Sequence, residues 1–99
     1  MTDKTEELLK QRGAIYGDYT THAEISQELK DVMRKQKGWD RLTANQKETL
    51  EMNAHKIGRI LNGDPNLEDN WADIAGYARL SADRVVDPNQ LDLDLVEAK

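Results

Sequence analysis

With 99 residues, 33% charged, 37% apolar and no Phe, the chain has the size of one domain whose core rests on Leu, Ile, Val, Ala and a few aromatic residues. Its net charge of -5 argues against nonspecific attraction to nucleic acid, which needs clustered Lys and Arg to neutralise phosphate. The absence of Cys excludes a disulfide framework, thiol catalysis and Cys-ligated zinc and fits a cytoplasmic setting, and the mixed-charge start MTDKTEELLKQR resembles neither a signal peptide nor a membrane span.

Asp3 to about Tyr16 reads as a short helix, with Glu6 and Glu7 in its first turn and Leu8, Leu9, Arg12, Ile15 and Tyr16 on one broad face. Gly17 ends it, and Asp18 or Thr20 can cap the next helix. Tyr16, Asp18 and His22 then lie near a helix N-terminus, either as an ordinary capped turn or as a place that favours an anion. A second helix over His22 to Lys35 carries Ile25, Leu29, Val32 and Met33 as its core stripe. The loop from Gln36 to Leu42 is anchored by Trp39, read as packing rather than base stacking.

Thr43 is the expected N-cap of a third helix whose apolar face holds Leu50, Ala54, Ile57, Ile60 and Leu61, while Glu48, Met52, His55 and Arg59 form a stripe almost opposite. The turn Asn62-Gly63-Asp64-Pro65 leads to a fourth helix, capped by Asn66 or Asp69 and running to about Val86. Its core face is expected to be Trp71, Ile74, Ala75, Ala78, Ala82 and Val85; Asp69, Asp73 and Tyr77 make a separate polar stripe that Asn70 adjoins. The expected architecture is all-α: a small bundle of about four helices around a central antiparallel hairpin, one domain over residues 1–86, completed by homo-oligomerisation. Residues 87–99 read either as an acidic tail or as a short docking helix.

In an antiparallel hairpin with so short a turn, residues whose numbers sum to about 129 share a height, so Lys56 meets Asp73 and Arg59 comes near Asp69 and Asn70. Two readings follow. The pairs are interhelical salt bridges, or they surround a polar site in which Lys56 and Arg59 hold phosphate oxygens, with Asn70 and Tyr77 beside them and Glu48, Glu51, Asp69 and Asp73 as oxygen ligands for Mg2+. Asp73 and Glu51 are the candidate catalytic acids of the second reading. A metal held by His22 and His55 is disfavoured by their separation and the lack of a ligand motif, and no Ser sits in an activating arrangement for nucleophilic catalysis.

The segments RGAIYGD with His22, KIGRIL and DNWADIAGYA resemble small phage-encoded proteins of the MazG-like, all-α nucleoside triphosphate pyrophosphohydrolase group, over roughly Arg12 to Leu80. The resemblance implies an all-helical homo-oligomer acting on nucleotides with Mg2+ in a host cytoplasm. The usual EExxE and ExxD acids of that group are incomplete here: the first reduces to Glu48 and Glu51, or to Glu51 with His55, and Asn70 stands three residues before Asp73. The expected function is therefore binding of a nucleotide or pyrophosphate-containing ligand, with Mg2+-dependent pyrophosphohydrolysis as its catalytic form. The alternatives are a non-catalytic nucleotide-sequestering protein of a phage and an acidic helical protein that binds a host protein.

Overall fold

The computed structural model describes residues 3–85. It is an all-α bundle of four α-helices, α1 (Lys4–Tyr16), α2 (Tyr19–Arg34), α3 (Ala44–Asn62) and α4 (Glu68–Ala82), with a 3-10 helix, Lys37–Arg41, between α2 and α3. No strand occurs among the described residues. The expectation of a tail or docking helix over 87–99 lies outside them.

Local chemistry sets most of the helix starts. Asp3 caps α1 through Glu6 N, Asp18 caps α2 through Thr21 N, and Thr43 caps α3 in a capping box with Gln46. With Asp18 as the cap, α2 begins three residues before the expected His22. The start of α4 also differs. Its N-cap is Leu67, without a side-chain cap bond, because the Asp64 carboxylate takes Asn66 N into the turn, so neither Asn66 nor Asp69 caps the helix. At its other end α4 stops at Ala82, four residues before the expected Val86, and the following turn is held by hydrogen bonds from Asp83 N and Arg84 N to Arg79 O and Ser81 O.

The long α3 is the axis of the fold. α2 packs along one flank and α4 along the other, while α2 and α4 make at most marginal contact with each other. On the α4 flank the pairs run in opposite order along the two helices: the Thr49 hydroxyl is 2.7 Å from the Ser81 hydroxyl, and Lys56 Nζ is 2.9 Å from Asp73 Oδ2. On the α2 flank His22 meets His55 near the far end of α3, and Arg34 donates to Glu51 Oε2 nearer its start.

This arrangement redirects the apolar faces expected from periodicity. Of the α3 stripe only Ala54 is buried, and Leu61 is 67% exposed. On α4 the inward residues are Asn70, Asp73, Ile74, Tyr77 and Ser81, whereas Trp71, Ala75, Ala78, Ala82 and Val85 lie on exposed surface. The physical reason is the position of the flanks. α2 and α4 each contact α3 about a quarter turn from its Leu50-Ile57-Leu61 stripe at 100° per residue, so that stripe looks out between them. Ala54 is the one apolar side chain in the buried class among the described residues, a small core for a domain.

Candidate functional site

The turn between α1 and α2 is tied to the C-terminal end of α3 by the Asn62 side chain. Its Nδ2 donates to Tyr16 O at 3.1 Å and to Asp18 O at 2.8 Å, and Asp64 N donates to Ile15 O at 2.9 Å. Gly17 is required here: its φ of 81° is one that side chains disfavour, and a Cβ on it would clash with Asn62 O. One turn back along α3, Gly58 lets the His22 ring lie against the helix, since an added Cβ would be 3.0 Å from His22 Nδ1. The RGAIYGD and KIGRILNGD segments, remote in sequence, become one corner.

That corner encloses a cavity of about 480 Å³ lined by Leu9, Arg12, Gly13, Tyr16, Gly17, Asp18, Tyr19, His22, His55 and Arg59. The Arg59 guanidinium lies over the Tyr16 ring, 4.2 Å from its centroid. His22 and His55 meet edge to face with centroids 4.6 Å apart, and His22 Nε2 is 3.3 Å from His55 Nδ1, so one ring donates and the other accepts. Burial pushes both imidazoles below the ordinary histidine value; the Gly58 peptide oxygen offsets part of the shift at His22, and charge on Arg59 and Lys30 adds to it. His55 falls to about 4, through burial first and then through His22, Arg59 and the lysines Lys56 and Lys30. The pair is neutral at pH 7, and the fixed positive charge on the cavity wall comes from Arg12 and Arg59.

Asp18 caps the α2 N-terminus. Its Oδ2 accepts from Thr21 N at 2.9 Å and is 3.0 Å from Thr21 Oγ1, and these bonds, the backbone one first, lower the Asp18 pKa. That segment is a capped turn, and the Arg12 and Arg59 side chains line the same cavity.

The residues expected to form a single site are divided between the two flanks of α3. Tyr16, Asp18, His22 and Arg59 gather in the cavity. Lys56, Asn70, Asp73 and Tyr77 lie at the contact of α3 with α4, where Lys56 is buried against Asp73 and Asn70 is closed off from solvent at 2% exposure. Asp73 and Tyr77 also border a shallow groove on α4 with Ala72, Gly76 and Leu80. Lys56 is thus committed to a carboxylate and Glu51 to Arg34, whose Nη2 is 2.6 Å from Glu51 Oε2. Among the described residues no three or more His, Asp or Glu side chains approach closely enough to hold a metal ion, so Glu48, Glu51, Asp69 and Asp73 do not come together as one cluster.

Arg12, Tyr19 and His55 belong to the cavity but were not picked out as site residues by the sequence reading. For His55 a signal was present: it shares the α3 stripe with Arg59, one turn away. Arg12 and Tyr19 are placed by the path of the chain around Gly17, which leaves no periodic trace.

A family model described as a domain of unknown function (DUF6378) matches residues 1–85. Neither the curated proteins nor the solved structures yield a match.

Proposed function

The chain belongs to the family of the domain of unknown function DUF6378, and from that premise we propose that it binds a nucleotide or another phosphate-containing small molecule in the cavity between the α1–α2 turn and α3. The supporting observation is the pairing of Arg59 with the Tyr16 ring inside a cavity of about 480 Å³ that Arg12 also lines, a volume suited to a small molecule. The guanidiniums are the phosphate ligands, since their planar forks match paired phosphate oxygens. Tyr16 and Tyr19 supply aromatic surface for a base. The neutral histidine pair offers a donor or an acceptor without adding charge, and the Asp18 carboxylate is engaged by Thr21 as the α2 cap.

Pyrophosphohydrolysis of the MazG-like type is the catalytic extension of this reading, and a phage protein that sequesters a nucleotide without turnover is its alternative. The α3–α4 pair is read as an antiparallel hairpin within a homo-oligomer, supported by the opposite order of its contacts and by the open apolar surface.

The test is a nucleotide panel, together with inorganic pyrophosphate, with and without Mg2+. Thermal shift reads binding, and chromatography reads release of monophosphate and pyrophosphate. Saturable binding weakened at least about tenfold in Arg59→Ala is expected, the loss of a charge-assisted contact. No saturable shift with any compound, or equal affinity in Arg59→Ala, refutes the assignment.

A further inference from the structure

The side of the molecule away from the cavity is apolar across three helices. On α3 the outward stripe is Leu50, Ile57 and Leu61, with no charged residue in it although 33% of the chain is charged. Leu50, Ile57 and Leu61 are 39%, 38% and 67% exposed. Helix sense decides what lies beside them. α4 runs opposite to α3, so the face of α4 a quarter turn from its contact with α3, and on the same side as this stripe, carries Trp71, Ala75, Ala78 and Ala82. The same construction on α2 brings Val32, 56% exposed, to that side.

We infer that this face is the interface with a second copy of the chain. The inference rests on the homo-oligomer reading above and names the surface that would serve it. A layer of helices with one apolar face needs a second layer, and the protomer's own core, with Ala54 its one buried apolar side chain among the described residues, does not substitute for it. The overlapping parts of the three helices are each about 20 Å long and about 9 Å apart. Overlaying the α3–α4 pair on itself covers two of them, a footprint on the order of 350 Å² in plan and more as corrugated accessible surface, toward the lower end of the roughly 600–1,000 Å² per partner of specific interfaces.

The face is also complementary to itself. A twofold axis lying in the interface, parallel to the helices and between α3 and α4, sets each α3 over the other copy's α4. The Leu50-Ile57-Leu61 ridge then meets the low surface of Ala75, Ala78 and Ala82, Leu50 falling near Ala78 and Ala82 and Ile57 near Ala75 and Trp71. Trp71 is held in orientation for this contact by its indole N–H, which donates to Pro65 O at 2.8 Å. Arg59, on the far side of α3, stays in the cavity, so dimerisation and ligand access are compatible.

Light scattering coupled to size exclusion, at concentrations from about 1 to 100 µM, tests the inference on the full chain of 11.3 kDa. The expected mass for the wild type is twice that of one chain, with a melting temperature that rises with concentration. Ile57→Glu and Ala78→Arg each return the monomer mass; position 78 is exposed in the protomer, so Ala78→Arg keeps the fold, as circular dichroism will check. Leu80→Glu, on the other side of α4, leaves the dimer intact. A wild type that is monomeric throughout overturns both the oligomer and the face, and conversion to a dimer on removal of residues 86–99 then assigns the face to the chain's own end. A wild-type oligomer that Ile57→Glu and Ala78→Arg leave unchanged overturns the face alone.

Discussion

Lys56 and Asp73 offer the sharpest test of how charge is used in this fold. Lys56 Nζ is 2.9 Å from Asp73 Oδ2, but the burial is unequal, with the Lys56 side chain 11% exposed and that of Asp73 47% exposed. Removing the two partners should therefore have unequal effects. Asp73→Asn leaves an ammonium in a dry contact without its counter-ion. The 3–5 kcal/mol typical of breaking a fully buried pair is reduced here because water reaches the Asp73 side, giving about 2 kcal/mol. Lys56→Met keeps most of the apolar stem and releases a carboxylate that water already solvates, so it costs about 0–1 kcal/mol. The double variant should return to within about 1 kcal/mol of the wild type, a coupling of about 1–2 kcal/mol. Urea unfolding followed by circular dichroism at pH 7.5 measures all four corners, and Asp73→Asn should also lower the melting temperature by roughly 10 °C. Equal losses in the two single variants, or a double variant less stable than Asp73→Asn, would refute the argument. The cycle also governs any enzymatic test. Loss of turnover in Asp73→Asn alone reports the stranded lysine as readily as a missing catalytic acid, so Lys56→Met/Asp73→Asn is the proper comparison.

Two further outcomes follow from the cavity corner. Asn62→Ala removes two bonds to main-chain oxygens of the α1–α2 turn, at about 2 kcal/mol in all; it should loosen α1 and weaken ligand binding together, and hydrogen exchange confined to residues outside α1 and the turn would contradict this. Because His22 and His55 both have folded pKa values below the ordinary 6.5, the unfolded chain takes up their protons first as the solution is acidified. Their contribution to stability is intact above pH 6.5 and is lost as pH falls toward about 4. The loss assigned to His55, discounted for the solvent-facing part of the ring, is about 1–2 kcal/mol. His55→Asn should flatten that part of the pH profile, and a wild type whose stability rises between pH 6.5 and 4.5 would contradict the sign.

The start of α3 was legible at its Thr43 cap, while Asp18 was one of two caps open for α2 and that helix begins three residues before the expected His22. Asp3, Asp18 and Thr43 each stand three residues before the amide they cap, and such chemistry does not depend on the rest of the chain. The contact of Lys56 with Asp73 was also legible, since turn length and helical rise alone put the two at one height. What the periodicity of α4 could not supply was its rotation. Both a Trp-Ala stripe and an Asp-Tyr-Ser stripe run along that helix, and the apolar one is the ordinary choice for a core. In the protomer the polar stripe is chosen because Thr49 and Lys56 wait for it on α3.

The sequence by itself therefore determined the all-α class, the start of α3 at its Thr43 cap and the height at which charges meet across α3 and α4, all set by bonds within a turn or by the pitch of a helix. Only the tertiary structure decided which flank of α3 each helix takes. That choice gave Arg59 a cavity with Tyr16, His22 and His55 and Lys56 a contact with Asp73, and it left Leu50, Ile57 and Leu61 facing outward. The reason is that a helix face is defined by its partners: periodicity shows which residues share a side, and packing between distant segments decides what that side meets.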